Sequence, residues 1–396
     1  MSKGKDAVFI YSDEQQSYKF SNDHPFNQDR LKMTRELLHT LGALQKSDEL
    51  SARIAKENEL SLIHNQDFID AVKKASHGTF HSSMQTTFGI GTDDTPIFPG
   101  MHEAASWLVG GTLKAVEAVF EEGYLHALNL GGGLHHGFRG RASGFCIYND
   151  SSIAIQYLRK YYDAKVMYID TDAHHGDGVQ WAFYNDPNVC TVSLHESGRF
   201  LFPGTGYVNE RGHSEGYGTA VNVPFEAFTE DQSWLDAYYT VIKEVAAQFK
   251  PDVILSQNGV DAHYYDPLTH LCTTMNIYHH IPTLAHELAH KYCNGRWIAV
   301  GGGGYDIWRV VPRAWSIIWL EMTDQRHLLN QSLPTEWLDR WQQAAPVTLP
   351  KQWYDEENIY PSIPRKREIE EKNNRTVEKA LRPFRDKKKR PFSPNY

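Results

Sequence analysis

Residues 166–178 read VMYIDTDAHHGDG. Four apolar positions, Val166 to Ile169, lead into a segment where Asp170, Asp172 and His174 alternate, and residues two apart in extended chain face the same side. The short apolar run reads as a buried strand. Four other runs read the same way: His126–Leu130, Val189–Leu194, Val253–Leu255 and Trp297–Val300. Between them, Leu235, Tyr238, Tyr239, Ile242, Ala246 and Phe249 form one stripe at helical spacing, which predicts a covering helix over 233–249. From about residue 100 to 310 this alternation is the βαβ rhythm of a mainly parallel sheet with helices on both faces. The fold class is α/β, a single three-layer domain.

Open α/β sheets bind ligands at the carboxyl ends of their strands. Here the runs are followed by GGGLHH (131–136), DTDAHHGDG (170–178), HESGRF (195–200), QNGVDAHYYDP (257–267) and GGGGYD (301–306). One sheet edge therefore receives histidines, aspartates, glycines and a tyrosine together. Asp172 and His174 can reach one metal ion, and Asp266, in the loop after another predicted strand, is the best-placed third carboxylate. Two carboxylates and an imidazole leave positions open for water and a carbonyl oxygen, as a hydrolytic centre requires. Zinc is the default ion, and iron(II) or manganese(II) suits the same donors. His135 and His136, behind a triple glycine, suggest general acid/base work. Paired histidines are more often surface or structural groups. Asp170 and Asp177 alter that balance, since each can hold one imidazole in a fixed tautomer.

The chain has 396 residues, 41% of them hydrophobic, enough for one large core with an appendage. A net charge of −9 argues against nucleic acid as partner, because phosphate binding needs a concentrated positive field. No run approaches the roughly 20 apolar residues of a membrane helix, and no apolar leader opens the sequence. Cys146, Cys190, Cys272 and Cys293 are too scattered for a disulfide framework. A soluble protein of the reducing cytoplasm is expected. Residues 1–325 read as the catalytic domain. Beyond them, LPTEWLDRWQQ (333–343) and a charged stretch from Arg365 to Arg390 read as a partly helical extension, 326–396, with a solvated end.

The blocks GGGLHHGFRGRASGFCIYND (131–150), YIDTDAHHGDG (168–178), FPGTG (202–206), DAHYYDP (261–267) and GGGGY (301–305) resemble, in order, the active-site blocks of zinc-dependent histone deacetylases of the arginase/deacetylase superfamily. The resemblance spans roughly residues 7–325 and is strongest to bacterial acetoin-utilisation (AcuC-type) deacetylases. It implies that Asp172, His174 and Asp266 bind zinc and that His136, oriented by Asp177, is general base and acid. It also implies that His135, held by Asp170, is its electrostatic partner and that Tyr305 polarises the acetyl carbonyl. Gly144 and Phe145 in SGFC and Phe202 in FPGTG match the acyl-lysine tunnel. Asp94 matches the carboxylate that grips the substrate backbone, next to Asp93, and Arg30 matches a basic residue where acetate leaves. Asp170, Asp172, His174, Ser193 and Leu194 match a potassium site. The implied activity is removal of acetyl groups from protein lysines, with acetylated metabolic enzymes such as acetyl-CoA synthetase as the partner class. Leu134 stands where some relatives carry tryptophan. Acetylpolyamine hydrolysis is the alternative within the same chemistry; an arginase-like dinuclear centre would need ligands where His135 and His136 stand.

One motif competes. HELAH at 286–290 is a literal H-E-x-x-H, the zinc pattern of metalloproteases. No third ligand follows it in the chain, and Ile281, Leu284, Leu288 and Tyr292 give its helix a buried stripe, so both histidines read as surface residues.

Overall fold

The computed structural model describes residues 5–21, 23–356 and 359–387. Its eight strands are β1 (Lys5–Ile10), β2 (Glu49–Leu50), β3 (Tyr124–Asn129), β4 (Val166–Asp170), β5 (Val189–Glu196), β6 (Ala220–Phe225), β7 (Val253–Gln257) and β8 (Trp297–Val300). They form one sheet in the order β2-β1-β3-β8-β7-β4-β5-β6, and every pairing is parallel. The five apolar runs of the sequence are thus five adjacent strands, β3, β8, β7, β4 and β5. β1 precedes the stretch where the alternating rhythm is clear, β2 is two residues long, and β6 is interrupted in pattern by Asn222 and Pro224.

Among the described residues twelve α-helices accompany the sheet: α1 (Asp29–Thr40), α2 (Glu57–Leu60), α3 (Gln66–Ser76), α4 (Gln85–Phe88), α5 (Met101–Phe120), α6 (Asp150–Tyr162), α7 (Asp177–Ala182), α8 (Asp231–Phe249), α9 (Met275–Tyr292), α10 (Val311–Met322), α11 (Thr335–Gln342) and α12 (Lys366–Lys387). Side chains alternate across the sheet and build two cores. Phe9, Leu128, Met167, Ile254 and Ala299 pack with α1, α8, α9 and α10. Val8, Ala127, Tyr168, Leu255 and Ile298 pack with α3, α5 and α6. Burial on both faces explains why the strands read as continuous apolar runs. None of the helices among the described residues is long and apolar enough to cross a membrane.

The C-terminal extension departs from the expected solvated end. Trp337 of α11 is buried and its Nε1–H donates to Met33 O at 3.0 Å. α12 packs on α8 and on the outermost strand β6. Val377, Ala380, Leu381 and Phe384, spaced along one helix face, enter the core of that layer. Asn373 Nδ2 donates to Thr229 Oγ1 (2.8 Å) and Ser233 Oγ (2.9 Å), and its Oδ1 accepts from Glu226 N–H (3.0 Å). The basic residues that suggested a free tail are in part partners for this docking: Lys366 meets Glu230, Lys372 meets Glu226 and Arg385 meets Glu244. Residues 388–390 of the charged stretch lie outside the described residues. Leu381→Ala is expected to cost about 2–5 kcal/mol, since its side chain is fully buried. A denaturant titration should show a lower midpoint with an unchanged slope; an unchanged midpoint would mean that α12 is not docked in solution.

Candidate active site

β4 ends at Asp170, whose Oδ2 accepts from Tyr168 Oη–H at 2.9 Å and whose Oδ1 accepts from Asp172 N–H at 3.2 Å. This tight turn carries Asp172 and His174 to the sheet rim. Their donor atoms and those of Asp261, all buried, lie within 4.8 Å of one another. Asp261 Oδ2 is 2.8 Å from His174 Nδ1, and Asp172 Oδ1 is 3.2 Å from the same nitrogen. Backbone donors fix both carboxylates: Ala173 N–H reaches Asp261 Oδ1 (2.7 Å) and Gly303 N–H, from the loop after β8, reaches Asp172 Oδ2 (2.7 Å).

The third carboxylate of this cluster is therefore Asp261 and not Asp266, the one the sequence favours. Asp261 is four residues past the end of β7 and so stays at the rim. Asp266 precedes Pro267 and turns its carboxylate onto backbone, the Asx habit of an Asp-Pro sequence. Its Oδ1 accepts from Leu268 N–H (3.0 Å) and its Oδ2 from Tyr305 N–H (2.9 Å). Asp266 thus fastens the residue that the glycine loop presents.

The loop after β3 delivers His135 and His136. It is tied down from α6: Asp150 Oδ1 accepts from Leu134 N–H (2.7 Å), both its oxygens lie 3.0 Å from Gly133 N, and Asn149 Nδ2 donates to His135 O (3.1 Å). Gly133 has φ +99°, and a Cβ there would stand 2.7 Å from the backbone of Gly301, so the β3 and β8 loops touch only because glycine is present. Asp150 and Asn149 escaped the sequence reading; the available signal was the helix-capping Asn in YND, whose Oδ1 accepts from Ser152 N–H at 2.8 Å.

His135 Nδ1 lies 2.8 Å from Asp170 Oδ2, and His136 Nδ1 lies 2.7 Å from Asp177 Oδ1. Adjacent in sequence and 4.0 Å apart by ring centroid, the two are driven in opposite directions. Burial disfavours the charge on His135, but Asp170 and Asp172 outweigh it and raise the group to about 9. Burial lowers His136, and the neighbouring His135 charge lowers it further against the pull of Asp177. Two adjacent imidazoles whose proton affinities are pushed apart are what acid/base sites use.

Aromatic rings complete the pocket. Phe202 stands edge-on to His136 at 5.1 Å, and Phe145 stands edge-on to Tyr305 at 5.9 Å. Phe202 is 45% exposed, which places it at the mouth. Phe145 adopts φ +66°, unusual for a bulky residue, and is held there by Tyr18 Oη–H donating to its carbonyl at 2.6 Å. A Cβ on Gly144 would come 2.3 Å from His136 Cδ2, so glycine is required beside the histidine. Half-buried Asp94 accepts from Gly144 N–H at 2.6 Å, while Asp93 is exposed. Beneath the pocket, buried Arg30 donates through Nη1 to Gly304 O (3.1 Å) and sits between Phe26 and Trp315. Burial, then the charges of Asp261 and Asp172, raise the Tyr305 phenol well above its usual value, so it remains a donor. Ser193 pairs in register with Asp170, its Oγ is 2.8 Å from His195 Nδ1, and Leu194 beside it is buried.

Residues 24–322 match the histone deacetylase domain family. The chain is 60% identical over 388 residues to the acetoin utilization protein AcuC of Bacillus subtilis (strain 168), covering 98% of this chain and 99% of that protein. It is 48% identical over 373 residues to the AcuC protein of Staphylococcus xylosus, covering 94% and 97% respectively. An HDAC homolog from Aquifex aeolicus superposes with a TM-score of 0.80 at 26% identity, covering 94% of this chain and 99% of that one. A solved HDAC homolog in complex with SAHA gives a TM-score of 0.81 at 27% identity, with the same coverage.

Proposed function

Because this chain belongs to the histone deacetylase family, we propose that it hydrolyses the acetyl amide of N-acetylated lysine side chains, with zinc held by Asp172, His174 and Asp261. The carrying observation is geometric: three buried donors lie within 4.8 Å of one another at the rim, and beside them His135 and His136 are each held through Nδ1 by a buried carboxylate, Asp170 at 2.8 Å and Asp177 at 2.7 Å. The donor set fits a divalent cation: burial and the charge of Asp172 push the Asp261 carboxyl up, which is the mark of buried carboxylates short of positive charge. Mixed carboxylate and imidazole ligation suits zinc or iron(II). Such an ion supplies Lewis acidity toward the acetyl carbonyl and toward water.

The residues of the chain supply the rest. Phe145 and Phe202 flank the aliphatic lysine stem and favour an uncharged acyl-lysine. Asp94 and Gly144 stand at the rim, where the substrate backbone would pass. His136 accepts a proton from the attacking water as the C–O bond forms. The Tyr305 hydroxyl donates to the oxyanion that develops on the former carbonyl. His135, fixed by Asp170, adds positive charge beside the same centre. When the C–N bond breaks, His136 returns the proton to the lysine amine, so that one water is consumed and lysine and acetate are released. Buried Arg30 offers a positive charge to the departing acetate. Asp170, Asp172, His174, Ser193 and Leu194 are the proposed potassium site next to these ligands.

The AcuC relatives are named for acetoin utilisation, and we place this chain in the same metabolism, with acetylated enzymes such as acetyl-CoA synthetase as the protein substrates. Cytoplasmic location follows from that assignment. Chelation is expected to abolish turnover of an acetyl-lysine peptide, and zinc or iron(II) should restore it; full activity in metal-free protein would refute the proposal. Turnover of acetylspermidine in preference to the peptide would instead identify a polyamine deacetylase.

A further inference from the structure

HELAH falls on α9, and its two histidines, one turn apart, face the same side. The missing third donor comes from β3 rather than from downstream chain. Donor nitrogens of His126, His286 and His290 lie within 4.8 Å of one another. Ring centroids are 4.6 Å apart for His126 and His286, 5.2 Å for His126 and His290, and 4.7 Å for His286 and His290. His126 is 2% exposed, and its Nδ1 is buried without a hydrogen-bond partner. A buried orphan nitrogen is rare in native proteins and asks for an ion or a water. His286 is not the free surface residue that the sequence suggested: its Nδ1 lies 2.9 Å from Glu321 Oε1. Glu321 is itself buried and accepts from Thr283 Oγ1–H at 3.0 Å. A carboxylate on the far nitrogen fixes the tautomer and turns the near one toward a metal. That near nitrogen, Nε2, stands 3.0 Å from His290 Nε2.

We propose that His126, His286 and His290 form a second metal site, for a divalent transition ion and zinc in particular. Three imidazoles match zinc and cobalt chemistry, and exposed His290 leaves a route for entry and a fourth position for solvent. Glu287 is exposed, away from the buried side of α9, so the H-E-x-x-H glutamate is not placed as a base and the site binds rather than hydrolyses. It lies in the first half of β3, on the face covered by α9, whereas the candidate active site lies past the strands' carboxyl ends. Occupancy would clamp the last turns of α9 to the sheet. None of its residues belongs to the deacetylase site, so the inference stands apart from that reading.

Cobalt(II) and zinc(II) binding to the full chain tests it. Wild type should take up two equivalents, His174→Ala one, and the combined His174→Ala, His290→Ala variant none. The His174→Ala form should show the visible absorption of cobalt bound to imidazoles, and His286→Gln in that background should abolish it. Circular dichroism would verify that each variant is folded. Failure of His174→Ala to bind cobalt or zinc would overturn the proposal, as would an equivalent that survives both His290→Ala and His286→Gln.

Discussion

Tyr305→Phe is expected to fold, load metal and bind acetyl-lysine peptide, yet hydrolyse it about 10² to 10³ times more slowly. The ring contacts with Phe145 at 5.9 Å and His174 at 6.5 Å survive the substitution. So does the bond that holds the residue, since Asp266 grips the Tyr305 backbone N–H and not its hydroxyl. What is lost is a donor to an oxygen whose charge grows in the transition state, and such donors contribute about 2.7–4 kcal/mol. The loss should appear in kcat, with KM changing far less. Single-turnover and steady-state rates on one peptide measure the split. Wild-type kcat in the metal-loaded variant would reduce Tyr305 to a plug of the pocket wall.

Asp261→Asn is expected to lose bound metal and, with it, more than about 100-fold of activity, since removing a ligand costs more than the roughly 10- to 100-fold lost with a ligand's hydrogen-bonding partner. The amide keeps one oxygen for Ala173 N–H, now at 2.7 Å, but removes the negative charge that faces His174. Asp266→Asn should behave differently. Its amide group must meet either Leu268 N–H or Tyr305 N–H with a donor, which loosens the loop that presents Tyr305, so turnover falls about 10-fold or more while metal content stays at the wild-type level. Elemental analysis of both variants discriminates between them. Retained metal in Asp261→Asn together with loss in Asp266→Asn would reinstate Asp266 as the ligand.

That pair of aspartates marks where the sequence stopped being informative. Strand positions, the Asp172–His174 alternation and the histidine pair were legible because period-two spacing and short apolar runs are local properties. Asp261 and Asp266 lie in one irregular loop, and which of them reaches the rim depends on a turn that spacing does not encode. Asp150 is hidden for the same reason: it touches Gly133 and Leu134 only because α6 returns beneath the β3 loop. The helical character of the extension is legible, but the docking of α12 is not, because its Lys and Arg content outweighs a four-residue stripe whose partners, α8 and β6, are remote in the chain. His126 could not be joined to HELAH by any pattern, since the sheet order alone sets β3 beside β8 under α9.

The five site loops all leave the same rim of the sheet, and among the described residues the turns at the other rim, such as the exposed residues 121–123 before β3, carry none of the reacting groups. Heredity can therefore revise this molecule in two nearly separate texts. Loop lengths and mouth residues such as Phe202 can drift toward new acyl substrates without disturbing strand pairing. The opposite turns can lengthen, or accept an inserted tag, without reaching the chemistry. A lineage that changes its diet of substrates need not renegotiate its fold, and descendants with different specificities should be found to differ mainly along one edge.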